Sequence, residues 1–199
     1  MTERLRIAVA DDEPDMREYF EKILPRIGHE VVAVAENGRE LVEHCLKHQP
    51  DLVITDIKMP DLDGIQAAEL IYDDCAVPVI LVSAHHDPQL IDRAEADHVM
   101  AYLVKPIKQA DLEPAIGLAM RRFRQFEAVR KESSDLRQSL EDRKVIERAK
   151  GILMKRVELS EPDAFKRLQK LASDKNRKLV DIAHSIVTAE QAFGNGELA

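Results

Sequence analysis

Within residues 1–120, apolar positions come in short, unbroken runs. RIAVA (6–10), EVVAVA (30–35), DLVIT (51–55), PVILVS (78–83) and AYLV (101–104) are rich in β-branched residues. Runs of this length without a polar alternation are expected of strands covered on both faces. Between them lie stretches of helical length, at 15–27, 38–48, 65–73, 88–96 and from Gln109 onward. Strand and helix alternating at this spacing predict βαβ units. The expected architecture is α/β: a five-stranded parallel sheet, doubly wound, with helices on both faces.

Beyond Asp111 the pattern changes, and no strand signal returns. Residues 112–150 hold no proline after Pro114 and no glycine after Gly117. Apolar side chains recur at Ala119, Phe126, Val129, Leu136 and Leu140, close to an a/d repeat that Arg122 and Ser133 interrupt. A long helix is expected here, either paired as a coiled-coil homodimer or standing as a solvated connector. Two more helices follow. The first opens on Ser160 as N-cap, with Pro162 and Asp163 in its first turn. Phe165, Leu168 and Ala172 give it an apolar stripe, and Asn176 can close it. The second spans about 179–192, with Leu179, Ile182, Ala183, Ile186 and Val187 at helical spacing. The expected organisation is an α/β domain at 1–120, a helical linker at 121–142 and a small three-helix domain at 143–195.

Charge supports this division. The net charge is −8, yet from Arg143 onward there are 12 Lys+Arg against 8 Asp+Glu, leaving 17 against 29 in residues 1–142. An acidic body thus carries a basic end piece, as expected of two domains with different partners. Apolar residues make up 45% of the 199-residue chain and Trp is absent, so aliphatic side chains must fill the core. No run approaches the roughly 20 apolar residues of a membrane helix, and no signal-peptide hydrophobic region precedes the first acids. A cytoplasmic protein with no membrane partner is expected. Cys45 and Cys75 form no CxxC motif and read as buried thiols.

Candidate chemistry gathers at strand ends. Asp11 and Asp12 follow the first strand, Asp56 the third, Ser83 ends the fourth and Lys105 the fifth. In a parallel sheet these C-terminal ends share one edge, where ligand sites form. Converging carboxylates repel unless a cation joins them, and hard oxygen donors favour Mg²⁺. The bland alternative is ordinary surface acid, of which Asp73 and Asp74 are another pair. A hydroxyl and an ammonium beside the carboxylates fit a phosphoryl group carried on an aspartate, with Asp56 best placed as nucleophile.

DDE at 11–13, DIKMPDLDG at 56–64, SA at 83–84 and YLVKP at 102–106 resemble, in order and spacing, the receiver domain of two-component response regulators. The resemblance implies a flavodoxin-like fold and phosphorylation of Asp56 by a sensor histidine kinase. It implies Mg²⁺ held by Asp12 and Asp56 with the Lys58 backbone carbonyl, Asp11 acting nearby. Ser83 and Tyr102 would move together on phosphorylation and alter the face formed by the fourth helix, fifth strand and fifth helix. The Lys105–Pro106 bond would be cis. A departure is His98, which stands where receivers usually have glycine before the fifth strand. His85 and His86, as neighbours in sequence, do not read as a metal pair. No kinase apparatus accompanies any histidine. The expected role is therefore a phosphoacceptor and not an enzyme, apart from receiver-type autophosphorylation and autodephosphorylation.

The stretch ERAKGILMKR (147–156) carries a glycine inside a helical pattern. Ile146, Ala149, Leu153 and Val157 line one face; Lys144, Arg148, Gly151 and Lys155 line another. Mid-helix glycine costs about 1 kcal/mol relative to alanine. A close helix crossing or a close ligand backbone would offset it, and nucleic-acid phosphate suits the flanking charge. A second basic cluster holds Lys166, Arg167 and Lys170, with Lys175, Arg177 and Lys178 beyond. These features do not choose between DNA and RNA, and a basic face can simply be solvated.

VIERAKGILMKR (145–156), Ala164–Phe165, Leu168, Ala172 and LVDIAHSIV (179–187) resemble the ANTAR domain, a three-helix RNA-binding output module. Its members bind paired small-loop hairpins in nascent transcripts and prevent terminator formation. Many carry arginine where Gln169 stands here. The residues expected at an RNA interface are Lys144, Arg148, Lys150, Gly151, Lys155, Arg156, Lys166 and Lys170. The combined expectation is a response regulator acting as a transcription antiterminator. The alternatives are a DNA-binding response regulator and an adaptor whose C-terminal helices bind a partner protein.

Overall fold

The structure, a computed structural model, describes residues 4–84 and 99–194. The helix expected at 88–96, the His85–His86 pair and His98 lie outside the described residues. The chain divides into two compact units, Met1–Glu127 and Ala128–Ala199.

The first unit is built on strands β1 (Arg6–Ala10), β2 (Glu30–Ala35), β3 (Leu52–Asp56), β4 (Val79–Ser83) and β5 (Val99–Val104). All pairings are parallel and the order is β2-β1-β3-β4-β5, the doubly wound flavodoxin-like arrangement. The three central strands are almost entirely buried, while edge strands β2 and β5 alternate. Burial on both faces, expected of all five strands, thus holds for β1, β3 and β4 but not for β2 and β5, which lie at the sheet's edges with one neighbour each.

The period of two sorts side chains onto two faces. Ile7, Val9, Leu52, Ile54, Ile80 and Val82 pack with Phe20 and Leu24 of α1 (Pro14–Arg26) and with Leu112, Ile116 and Ala119 of the long helix α4 (Gln109–Val157). Ala8, Ala10, Val53, Val79 and Leu81 face Leu41 and Cys45 of α2 (Gly38–His48) and Ile65, Ala68 and Ile71 of α3 (Gly64–Cys75). Cys45 is buried and Cys75 half-buried, both free. Local signals set the helix starts. Pro14 opens α1, the Asn37 side chain caps α2, and Asp63 with Gln66 forms a capping box on α3.

The spacing that suggests a coiled-coil seam divides in the structure. Ala119 is fully buried in the first unit's core. Phe126 packs against that core and meets the Tyr72 ring at 6.2 Å. Arg122 donates to the Met100 carbonyl at 3.1 Å. Only Val129, Leu136 (62% exposed) and Leu140 of the series stand in solvent.

The second unit packs the end of α4 against α5 (Glu161–Asp174) and α6 (Leu179–Gly194). Its core is small: Ala149, Leu168, Ile182, Ala183 and Val187, flanked by half-buried Val145, Ile146, Ile152 and Leu153. Ser160 caps α5 by accepting from the Asp163 N–H, and Asn176 adopts a left-handed conformation just past its end. Two expected core positions point outward. Val157 is 55% exposed because α4 ends there, and Phe165 is 38% exposed because Ala164 takes the buried position on α5.

Candidate functional site

Tight backbone ties converge on the sheet's C-terminal edge. The Asp11 N–H donates to Ala35 O (3.2 Å), Ile57 N–H to Val82 O (3.0 Å), and Lys105 N–H to Ser83 O (2.9 Å). The Lys105–Pro106 bond is cis. Gly64 N–H donates to Ile57 O at 2.9 Å, drawing the start of α3 onto the end of β3. A Cβ at Gly64 would fall inside the Asp56 carbonyl, so this position admits only glycine without moving the Asp56 backbone.

Asp11, Asp12 and Asp56 gather here, each offering a carboxylate oxygen, all within 4.8 Å of one another. Asp11 and Asp56 are buried; Asp12 is exposed. Lys105 Nζ lies 3.0 Å from Asp11 Oδ2, 2.9 Å from Glu13 Oε1 and 3.6 Å from Asp56 Oδ1. Burial pushes the Asp56 carboxyl up to about 6; Asp11 and Asp12 add to this, while Lys105 and a hydrogen bond from the Lys58 backbone oppose it. Burial likewise raises Asp11. For Lys105 burial works against the ammonium, yet the hydrogen bond to Glu13 and the charges of Asp56 and Asp11 prevail and hold it above its ordinary value.

The site is therefore rich in oxygen donors and short of positive charge. Asp11 Oδ1 accepts the Glu13 N–H at 3.0 Å. Its buried partner Oδ2 has no well-directed donor, since Lys105 approaches it at ion-pair distance but outside hydrogen-bond geometry. An orphaned buried carboxylate oxygen beside two more carboxylates fits a small hard cation such as Mg²⁺.

Ser83 and Tyr102 sit on adjacent strands, Ser83 beside Val104 and Tyr102 beside Leu81. Ser83 is half-buried, Tyr102 exposed. Glu13 is a site residue that the sequence reading passes over. It belongs to the quoted DDE triplet, but nothing in the pattern signals that it takes one side of the Lys105 ammonium.

In the second unit the basic residues separate into two groups. Lys144, Arg148, Lys155, Arg156, Lys166 and Lys170 are exposed. Lys144 pairs with Glu141 at 2.6 Å, and Arg156 with Glu190 at 3.0 Å. Among the described residues Arg148, Lys155, Lys166 and Lys170 enter no ion pair. Lys150 differs: it is 8% exposed, and its ammonium lies 2.9 Å from Glu147 and 2.8 Å from Glu161. These hydrogen bonds, Glu161 foremost, raise its pKa. It joins α4 to the first turn of α5. Gly151 is exposed, about 200° around the helix from buried Ala149. A Cβ built there meets nothing within 4 Å, so no helix crossing among the described residues requires the glycine.

A parallel sheet with an acidic cluster and a lysine at its C-terminal edge defines a receiver, and comparison with known proteins gives the same class. A family model described as the response regulator receiver domain matches residues 7–117, and one described as the ANTAR domain matches residues 134–187. The chain belongs to the response regulators that join a receiver to an ANTAR domain. It is 41% identical over 182 residues to the transcriptional regulatory protein PdtaR of Mycobacterium tuberculosis, covering 92% of this chain and 89% of that protein. Among solved structures it resembles the signal receiver domain of the response regulator NarL from the same organism, with 28% identity and a TM-score of 0.56 over 60% of this chain and 98% of that one. A receiver domain protein from Clostridium thermocellum is 30% identical, with a TM-score of 0.55 over 60% of this chain and 97% of that one. Among the described residues no helix is long and apolar enough to cross a membrane.

Proposed function

We propose that this chain is a phosphorylation-controlled RNA-binding antiterminator, with a receiver at 1–120, a linker at 121–142 and an RNA-binding module at 143–195. One observation carries the first half. The buried carboxylate of Asp56 stands 3.6 Å from the Lys105 ammonium inside a cluster of aspartate oxygens. Asp56 attacks the phosphorus of a phosphohistidine on a sensor histidine kinase. A P–O bond forms, the P–N bond breaks, and the histidine nitrogen leaves with the electron pair. Asp11, Asp12 and Asp56, with the Lys58 carbonyl, would hold Mg²⁺. When bound, the ion neutralises oxygens of the transferring group. Lys105 then exchanges part of its pairing with Asp11 and Glu13 for a phosphoryl oxygen, and the Ser83 hydroxyl donates to another. The added charge of about −2 draws Ser83 toward the site, and Tyr102 follows on the neighbouring strand.

The exposed ammonium and guanidinium groups of the second unit support the RNA half. Lys144, Arg148 and Lys155 lie within about 60° of Gly151 around α4, so the bare glycine sits in the basic stripe. With no packing neighbour, its open side fits the approach of an RNA backbone. Lys166, Lys170 and Arg156 extend the surface, whereas Lys150 serves to hold α5. The similarity to PdtaR, a transcriptional regulatory protein, supports the same reading. Val129, Leu136 and Leu140 provide an exposed apolar row through which two copies could pair and present two RNA-binding modules, raising avidity for paired hairpins.

The phosphoacceptor step is tested with a small acyl phosphate and Mg²⁺, read by intact mass. The native chain gains one phosphoryl group and Asp56→Asn gains none. Equal labelling of Asp56→Asn would overturn the assignment.

A further inference from the structure

Phe165 is the exposed aromatic of the second unit's described side chains, and its surroundings fit it for a task that charge alone does not perform. Its neighbour Ala164 is fully buried and Leu168 anchors α5 to the core, so α5 stays seated without the phenyl ring. The ring is 38% exposed. The Lys150 ammonium lies over it, 5.9 Å from the centroid. That ammonium is held by Glu147 on α4 and Glu161 on α5. The ring is thus backed by a pinned cation and still leaves more than a third of its side chain exposed. Lys166 and Lys170 follow on the same helix, exposed and without ion pairs among the described residues. Gly151, with its open side, directly follows Lys150.

We propose that Phe165 is a stacking platform for an unpaired base in an RNA loop, with Lys150 fixing the ring from behind. This rests on the RNA-binding reading above. Basic residues secure phosphates but carry no information about unpaired bases. A splayed-out loop base presents a π-face that a rigid aromatic accepts, and such recognition favours loops over duplex. Charge complementarity selects this occupant: an exposed ring on a helix that also carries the exposed lysines Lys166 and Lys170 suits a polyanion that also exposes aromatic faces. Removing one stacking residue should weaken binding roughly 5- to 150-fold.

The probe is an RNA of two tandem small-loop hairpins with randomised loops, from which bound sequences are recovered and labelled with 2-aminopurine at single loop positions. The native chain should quench the fluorophore at one loop position. Phe165→Leu, which keeps apolar bulk, should lose the quench and weaken hairpin binding while leaving the salt slope unchanged. Phe165→Trp should restore both. A blunt duplex RNA should bind native and Phe165→Leu chains alike. Thermal unfolding of each variant checks that the second unit stays folded; if Phe165→Leu were to unfold it, Phe165→Tyr against an abasic loop position supplies the comparison. Native hairpin affinity in Phe165→Leu overturns this inference alone. Failure of the native chain to bind any hairpin overturns the RNA reading with it. A changed salt slope in Phe165→Leu would assign the loss to displaced phosphate contacts and also overturn the platform.

Discussion

Replacing Gly151 with alanine separates helix stability from function. Mid-helix glycine costs about 1 kcal/mol relative to alanine. The new methyl group meets nothing within 4 Å, so no packing penalty offsets the gain. The second unit should therefore gain close to the full amount, or roughly 4–8 °C in Tm for a domain of its size. Gly117 is a built-in control: it too lies exposed in α4 with nothing near its Cβ site, but in the first unit. Gly117→Ala should stabilise similarly and leave RNA binding untouched. At Gly151 binding should change in the opposite sense. A methyl group that pushes an RNA backbone away by about 1 Å forfeits a quarter to a half of each dispersion contact. With one hydrogen bond also lost, affinity should fall about tenfold. The assay is titration of hairpin RNA at fixed salt, beside differential scanning calorimetry. A Gly151→Ala chain that is more stable and binds RNA with native affinity would rule out a ligand at this position, because the glycine would then have neither a packing nor a ligand rationale.

Other outcomes follow from the same geometry. Gly64→Ala must displace the Asp56 carbonyl, so urea unfolding should show the first unit destabilised by about 1–3 kcal/mol, with slower labelling of Asp56 by a small acyl phosphate. His29 is buried and its Nδ1 accepts the Leu5 N–H at 3.2 Å, and burial lowers its pKa. Its folded value lies below the unfolded value of about 6.5, so it contributes stability above that pH and loses it as pH falls through the lowered value. Thermal scans of the native chain should show this acid loss, and His29→Gln should flatten it. Leu136→Asp, at an exposed position, should leave the first unit's Tm unchanged but abolish any self-association seen by sedimentation of the phosphorylated chain.

The sheet was readable because strands covered on both faces leave unbroken apolar runs, and three of the five strands are of that kind. The acidic cluster was readable because its aspartates terminate or follow those strands. Periodicity was less informative where one spacing serves two purposes. Ala119 and Phe126 continue the rhythm of Val129, Leu136 and Leu140, yet the first two are committed to the receiver core. On α5, Ala164 and Phe165 are adjacent, and hydrophobicity alone favours burying the larger, yet the structure buries the alanine and leaves the ring 38% exposed. Nor does a basic pattern tell which lysine turns inward. Lys150 does so because Glu147, one turn earlier, and Glu161 on the next helix both reach it. Glu13 carries no local signal for a related reason: its partner Lys105 is 92 residues away.

The central claim is that phosphorylation of Asp56 governs RNA binding. The most direct measurement is affinity for a two-hairpin RNA with and without a small acyl phosphate and Mg²⁺, in the native chain and in Asp56→Ala. Affinity should rise with the phosphodonor in the native chain only. An equal rise in Asp56→Ala, or no change in the native chain once Asp56 is shown to be phosphorylated, would contradict it.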